Sequence, residues 1–192
     1  MTFEDTIKFH GHACPGLALG YRVANLALKE FDLRARDEEL VAIVENNSCA
    51  VDAIQLICGC TFGKGNLIFK DFGKQVYTFI KRSNSQAVRI AVNWEPPPED
   101  PETEAMWARY SKGDRSPEVT AVVQDRKARK MQAILAADDA ELFDIKRIEA
   151  EMPEPARIYK TLTCASCGEK VMEPRTEMVE GKLLCLPCAE EE

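Results

Sequence analysis

Four cysteines late in the chain have the residue type and the spacing of a metal site. Cys164 and Cys167 form one Cys-x-x-Cys pair, and Cys185 and Cys188 form a second pair after 17 intervening residues. Two such pairs at this separation are typical of a zinc ion held by four thiolates. Because four thiolates complete a tetrahedron, the pattern predicts a structural zinc with no position left for a substrate. The alternatives are a rubredoxin-type iron site, and two disulfides or free thiols.

A second group of possible ligands lies early in the chain, where His10, His12 and Cys14 stand two residues apart. In an extended segment, side chains at this spacing share one face. Histidine and cysteine favour Zn, Fe, Co, Ni or Cu over Mg or Ca. Pro15 predicts a helix that begins just after Cys14, where the helix dipole lowers the pKa of a thiol. The alternative is structural, with His12 as a helix cap and Cys14 as a small buried side chain.

Cys49 lies between a predicted strand over residues 40–45 and a predicted helix over residues 50–57. A cysteine at a helix start can act as a nucleophile or as a metal ligand, so Cys49 is the candidate catalytic residue, with a buried structural cysteine as the alternative. Cys60 follows the same helix, about 12 to 15 Å from Cys49 at 1.5 Å per residue, and joins the metal site only if the next turn folds back. Cys58 falls on the apolar face and is expected in the core.

The elements that must position these residues are predicted from apolar periodicity and from the turn residues between them. Their order is helix, strand, helix and three strands, followed by two helices and a last strand, which indicates an α+β core with a mixed sheet. The predicted elements are a helix from residue 14 to about 30, the strand and helix at 40–45 and 50–57, strands at 66–70, 75–81 and 87–92, helices at 103–112 and 116–136, and a strand at 142–148.

Proline residues mark the organisation of the chain. The segment 96–101 is rich in proline, which is typical of a linker, and Pro153 and Pro155 introduce the cysteine module. We therefore expect two domains, an α+β core over residues 1–152 and a four-cysteine zinc finger over residues 153–192.

Charge and hydropathy narrow the possible partners and locations. The net charge of −7 disfavours broad contact with nucleic acid or anionic membranes. Residues 153–192 hold five basic and eight acidic side chains, so a structural or protein-binding role fits this module better than a nucleic-acid role. No stretch reaches the roughly 20 apolar residues that span a bilayer, and the first ten residues lack a signal-peptide core. We expect a cytoplasmic protein, in which eight cysteines indicate metal binding or catalysis rather than disulfides.

Three segments resemble the formylmethanofuran dehydrogenase E-subunit family: residues 9–20 (FHGHACPGLALG), 44–54 (VENNSCAVDAI) and 59–67 (GCTFGKGNL). The likeness extends over roughly residues 5–150, and the cysteine module resembles the treble-clef or ribbon-like zinc finger that some members carry. The resemblance implies a core similar to the catalytic domain of glyceraldehyde-3-phosphate dehydrogenase, a homodimer, and a metal in a cleft. The implied site residues are His10, His12, Cys14, Cys49 and Cys60. The family name refers to anaerobes, including methanogens, that reduce CO2 to a formyl group.

These observations predict a metal-binding accessory protein, with a transition metal, zinc in the first instance, in the core and a structural zinc in the finger. The link implied by the family is to anaerobic one-carbon and formyl redox metabolism, and whether the protein is itself an enzyme stays open. One alternative is a non-catalytic protein that docks a partner through its zinc finger. Another is an enzyme that uses Cys49 as its nucleophile.

Overall fold

The computed structural model describes residues 1–191 and divides the chain into two compact units, Met1–Pro155 and a second unit that begins at Ala156. Glu192, the last residue of the expected zinc-finger domain, lies outside the described residues. The elements of the first unit are α1 (Phe3–His10), α2 (Pro15–Phe31), β1 (Leu40–Val44), α3 (Ala50–Cys58), β2 (Leu67–Phe69), β3 (Val76–Lys81), β4 (Gln86–Val92), α4 (Pro101–Ser111), α5 (Pro117–Ala136), α6 (Asp139–Leu142) and β5 (Phe143–Glu149).

The five strands of the first unit form one mixed sheet in the order β2-β1-β3-β4-β5. β1 pairs in parallel with β2, and the remaining neighbours are antiparallel. Val44, at the end of β1, lies opposite Phe69 on one side and Tyr77 on the other. A parallel pair needs a crossover connection, which α3 supplies between β1 and β2. The predicted α+β class with a mixed sheet is confirmed.

One hydrophobic core joins α2, α3 and part of α5 to a single face of this sheet. All five strands contribute to it, and the central three do so with alternate residues, because side chains two positions apart point to the same face. The buried core residues of the sheet are Leu40, Ala42, Val44, Leu67, Tyr77, Phe79, Val88, Ile90 and Phe143. The predicted helices and strands of this region are observed, with ends that differ by a few residues.

Two helices approach each other backbone to backbone at Gly20 of α2 and Ala50 of α3. A Cβ atom added to Gly20 would lie 2.2 Å from the carbonyl oxygen of Ala50 and 2.5 Å from its Cα. Only glycine allows this separation, because any side chain would occupy the space of the neighbouring backbone. The contact fixes the start of α3 against the first turns of α2.

α1 was not predicted from the sequence. The side chain of Thr2 accepts a hydrogen bond from the amide of Asp5, and the Asp5 carboxylate accepts one from the amide of Thr2, which forms a capping box at its first turn. Gly11 ends the helix in a left-handed conformation, with φ of 94°. The expectation that residues 10–14 form one extended segment is therefore wrong at His10, which lies in the last turn of α1.

The second unit is built from two small antiparallel sheets. Its elements are β6 (Thr161–Thr163), β7 (Lys170–Met172), a 3-10 turn (Glu173–Arg175), β8 (Thr176–Val179), β9 (Lys182–Cys185) and α7 (Leu186–Glu190). Glu180 and Gly181 join β8 to β9, and both have positive φ as a tight hairpin requires. The buried hydrophobic cluster of this unit consists of Cys164, Leu184 and Cys185.

Within residues 1–191, no helix is both long enough and apolar enough to cross a membrane.

Candidate metal centres

The four late cysteines converge on one point. Their sulfur atoms all lie within 4.8 Å of one another, and the sulfurs of Cys167 and Cys185 are 3.9 Å apart. A tetrahedral zinc with Zn–S bonds of about 2.3 Å separates its sulfurs by about 3.8 Å. The residues therefore fit a four-thiolate metal ion with little further movement.

Local backbone geometry forms the first cysteine pair into a tight knuckle. The amide of Gly168 donates to the carbonyl of Cys164 at 3.0 Å, and Gly168 takes a φ of 75° that glycine adopts at low cost. The amide of Cys185, at the end of β9, donates to the sulfur of Cys164 at 3.3 Å. These contacts place sulfurs from the two pairs side by side.

The electrostatics of this cluster suit a cation. The amide of Cys185, with that of Cys167, lowers the pKa of the Cys164 thiol to about 6, so this sulfur is a ready thiolate ligand. The neighbouring sulfur of Cys185 has the opposite effect on Cys188 and raises its pKa to about 12. Four thiols whose sulfurs lie this close together all become thiolates only when a positive charge lies between them.

A second group of possible ligands forms in the first unit from His10, His12, Cys14 and Cys49. One ligand atom of each residue lies within 4.8 Å of the others. The four residues come from three places in the fold: the last turn of α1, the short connection to α2, and the turn between β1 and α3. His10, His12 and Cys14 are close in sequence, whereas Cys49 lies far along the chain, so the tertiary fold completes the group.

Cys14 and Cys49 each stand at the N-terminal end of a helix. The sulfur of Cys14 accepts a hydrogen bond from the amide of Leu17 at 3.3 Å and so caps α2. Cys49 is the N-cap residue of α3, although its side chain makes no capping hydrogen bond there. Burial raises the pKa of the Cys49 thiol, and the nearby Cys14 raises it further. This shift is opposite to the one that would activate Cys49 as a free nucleophile at neutral pH.

The turn that carries Cys49 is held by a buried amide. The side-chain oxygen of Asn46 accepts hydrogen bonds from both the amide and the hydroxyl of Ser48, at 3.1 and 2.7 Å. The side-chain nitrogen of Asn46 donates to the carbonyl of Lys74 at 2.7 Å. Because Asn46 is buried and fully engaged, the approach to α3 is rigid and Cys49 is held in one place.

His10 presents an uncommitted nitrogen to this group. Its Nδ1 lies 2.7 Å from a carboxylate oxygen of Asp52, and its side chain is 11% exposed. Its Nε2 is buried and has no hydrogen-bond partner among residues 1–191. A buried polar atom without a partner is costly, and a bound ion is one of the arrangements that satisfies it.

His12 differs from the other three residues because it is exposed to solvent. Its ring centroid is 4.4 Å from that of His10. The preceding Gly11 has open space around it. His12 therefore lies on the solvent side of the group, while the other three are half-buried.

The structure does not bring Cys60 to this group. Cys60 is fully buried, and its thiol donates to the carbonyl of Leu40 at 3.3 Å. Burial raises its pKa to about 12, so it stays protonated. The buried side chain of Asn66 closes the turn after α3 by donating to the same carbonyl, at 2.9 Å. The turn folds toward β1 and not toward Cys49, which is why the implied ligand role of Cys60 has no support in the geometry.

Cys58 points into the core, as its place on the apolar face of α3 predicted. It is fully buried, and its thiol faces the carbonyl of Ala24 on α2 at 3.7 Å. Of the four early cysteines, Cys14 and Cys49 therefore join the ligand group, and Cys58 and Cys60 pack inside the unit.

Comparison with known proteins gives two family matches. Residues 9–144 match the family described as FmdE, molybdenum formylmethanofuran dehydrogenase operon. Residues 157–192 match the prokaryotic dksA/traR C4-type zinc finger.

A curated relative and a solved structure are also similar to this chain. A probable S-adenosyl-L-methionine-binding protein of Archaeoglobus fulgidus is 31% identical over 95% of this chain and 50% of its own length. The chain thus spans about half the length of that relative. The crystal structure of a tungsten formylmethanofuran dehydrogenase E-subunit (FmdE)-like protein from Syntrophus aciditrophicus has a TM-score of 0.61 and 22% identity, covering 100% of this chain and 94% of its own. At that identity the likeness shows a shared fold.

Proposed function

Because this chain belongs to the FmdE family, we propose that it is a metal-binding accessory protein with one transition-metal ion in its core. The second unit, a C4-type zinc finger, holds a separate structural zinc through Cys164, Cys167, Cys185 and Cys188. The zinc of the finger has a structural role, because its four thiolates leave no coordination position open for a substrate. The role of the core metal is therefore separate.

The observation that carries the core site is the buried Nε2 of His10, which has no hydrogen-bond partner among residues 1–191. One ring nitrogen each of His10 and His12 and the sulfurs of Cys14 and Cys49 lie within 4.8 Å of one another, and Nδ1 of His10 is already engaged with Asp52. Two imidazoles and two thiolates suit zinc best among the common metals, since this donor set accepts tetrahedral geometry. Burial and the nearby Cys14 raise the pKa of the Cys49 thiol, so a bound cation is what would hold this sulfur as a thiolate.

The exposure of His12 determines what the core site can do. Three of the ligands are half-buried: His10, Cys14 and Cys49. The exposed His12 is the ligand that a substrate or water could replace. A metal with one exchangeable position supplies Lewis acidity, which polarises a carbonyl or lowers the pKa of a bound water. The three half-buried ligands hold the metal ion in position, and their burial limits the access of water to the side of His12.

The metabolic setting follows from the family and belongs to the proposal. The family is described by the molybdenum formylmethanofuran dehydrogenase operon, and on that basis we propose a role in anaerobic one-carbon and formyl redox chemistry. A homodimer and a core like that of the glyceraldehyde-3-phosphate dehydrogenase catalytic domain are further parts of the proposal. The name of the Archaeoglobus fulgidus relative refers to S-adenosyl-L-methionine binding by a chain about twice as long. We assign no binding of that compound to the residues present here.

One observation favours a docking role for the zinc finger as a second candidate function. Large apolar side chains on this unit are exposed to solvent, Ile158, Met172 and Met178 among them. Exposed methionines adapt to varied apolar partners. Pull-down with the full chain and with a Met172→Glu, Met178→Glu variant tests this role, and equal recovery of partners by both proteins would exclude it.

Metal analysis of the full chain tests the core site. We expect about two zinc equivalents per chain, one for each ligand group. The variants His10→Ala, Cys14→Ser and Cys49→Ser should each lose one equivalent. Cys60→Ala is the matched control, because it removes a cysteine from the same unit and should leave the metal content unchanged. A wild-type chain with only one equivalent, or a core equivalent that survives Cys14→Ser, would refute the proposal.

A further inference from the structure

We propose that Asp52 is a positioning residue that selects Nε2 of His10 as the metal-binding nitrogen. The inference rests on the proposed metal site and adds a residue that lies outside the ligand group. Asp52 is on α3, one turn after Cys49, so a single helix carries both a ligand and the residue that orients another ligand. His10 reaches this helix from α1, 42 residues away in sequence.

The contact between His10 and Asp52 fixes the tautomer of the imidazole. The Nδ1 of His10 and the Oδ2 of Asp52 are 2.7 Å apart, a distance typical of a charge-assisted hydrogen bond. An ionised carboxylate only accepts hydrogen bonds, so Nδ1 must carry the proton and donate. The lone pair of the ring is then on Nε2, the buried nitrogen that has no hydrogen-bond partner among residues 1–191, in a residue grouped with Cys14 and Cys49.

Asp52 is itself held from its other side. The side-chain nitrogen of Gln55 donates to Oδ1 of Asp52 at 3.4 Å, and the side-chain oxygen of Gln55 accepts from the amide of Phe62 at 3.3 Å. The carboxylate is therefore aimed at His10 by the same helix and by the loop after it. An oriented carboxylate–histidine pair raises the basicity of the ligating nitrogen and orients the ring.

The other carboxylate near the turn is engaged elsewhere. Glu45, at the end of β1, lies 3.7 Å from the guanidinium of Arg89 on β4. This pairing makes it a matched control: a carboxylate close to Cys49 in sequence that takes no part in orienting His10.

Zinc competition and imidazole NMR on the full chain test the inference. Asp52→Asn should weaken core zinc binding by about 10- to 100-fold, as loss of such partners does in other metal sites. Glu45→Gln should leave the affinity unchanged, and Asp52→Glu should restore part of the loss if its carboxylate reaches Nδ1. A purely structural link between α1 and α3 would instead lower the thermal stability of metal-free Asp52→Asn without changing which nitrogen binds metal.

The two histidines of the chain make the NMR readout simple. In the zinc-loaded wild type, long-range ¹H–¹⁵N correlations should show a protonated Nδ1 and a metal-bound Nε2 for His10, assigned with a His12→Ala variant. Two results would overturn the inference and leave the metal site intact. One is metal bound to Nδ1 of His10. The other is an Asp52→Asn protein that keeps both the wild-type zinc affinity and the same single tautomer of His10. A wild-type core without zinc overturns the proposed function, and the inference with it.

Discussion

Replacing Gly20 with alanine tests whether backbone contact between α2 and α3 assembles the proposed core metal site. The added Cβ would lie 2.2 Å from the carbonyl oxygen of Ala50, well inside van der Waals contact. The obstructing atoms belong to the backbone, so no side-chain rotation relieves the clash. The two helices must separate, and their N-terminal ends carry Cys14 and Cys49.

The expected loss of stability follows from two opposing effects. Alanine is favoured over glycine inside a helix by about 1 kcal/mol. Overpacking a buried contact costs up to about 3 kcal/mol, and a backbone obstacle justifies that upper value. The net change is about 2 kcal/mol of destabilisation. For a chain of this size that corresponds to a fall in Tm of about 4 to 8 °C.

Calorimetry and metal analysis of the same preparation provide the assay. Gly20→Ala should lower the Tm of the first unit and release the core metal, while the zinc of the second unit remains. Gly63→Ala is the matched control, because nothing lies within 4 Å of a Cβ at Gly63. If Gly20→Ala has an unchanged Tm and keeps its core metal, the helix contact does not position the site and the reasoning fails.

Three further predictions concern the zinc finger and the support of the core. Cys185→Ser should lose one zinc equivalent and make the second unit sensitive to limited proteolysis, because its buried cluster is largely cysteine; unchanged cleavage would contradict this. Asn66→Ala should cost about 3 kcal/mol in urea unfolding, since it removes the acceptor of the Thr61 amide and leaves the carbonyl of Leu40 with only the weak thiol donor of Cys60; a loss below about 1 kcal/mol would exclude that role. Burial opposes the ionisation of Asp139, but the hydrogen bonds and charges of Arg22 and Lys29 together outweigh it and hold the pKa of Asp139 below its ordinary value of 3.8. The pair therefore stabilises the fold above pH 3.8, and that contribution is lost as the pH falls further. Asp139→Asn should cost about 1 kcal/mol at pH 7, with a difference from wild type that shrinks below pH 3.8; a constant difference would argue against the ion pair.

Local sequence signals predicted the elements that frame the core site. Pro15 after Cys14 indicated the start of α2, and Gly59 indicated the end of α3. The cysteine spacing predicted the convergence of the late ligands, because each Cys-x-x-Cys pair closes within one turn. These features depend on neighbours in sequence, so the pattern alone was sufficient.

The composition of the core ligand group depended on contacts that no local pattern contains. His10 belongs to α1, a short helix whose sequence signals are the Thr2–Asp5 capping box and Gly11, and its partner Asp52 lies 42 residues further on. Cys60 has the same residue type as Cys49 and stands at a similar distance from α3, yet the turn closed by Asn66 directs it to Leu40. The direction of that turn follows from hydrogen bonds across the fold, which spacing does not encode.

The short length of α1 has a consequence for the order in which the protein assembles. An isolated helix of eight residues is unstable in water, so α1 persists only when docked on the rest of the unit. Bound metal would tether His10 to the turn after β1 and close a chain loop of about 40 residues, which restricts the unfolded ensemble. We expect the sheet, α2 and α3 to fold first, with α1 docking as metal enters from the side of His12. Amide protons of α1 should then exchange fastest in metal-free protein and slow most when metal is added.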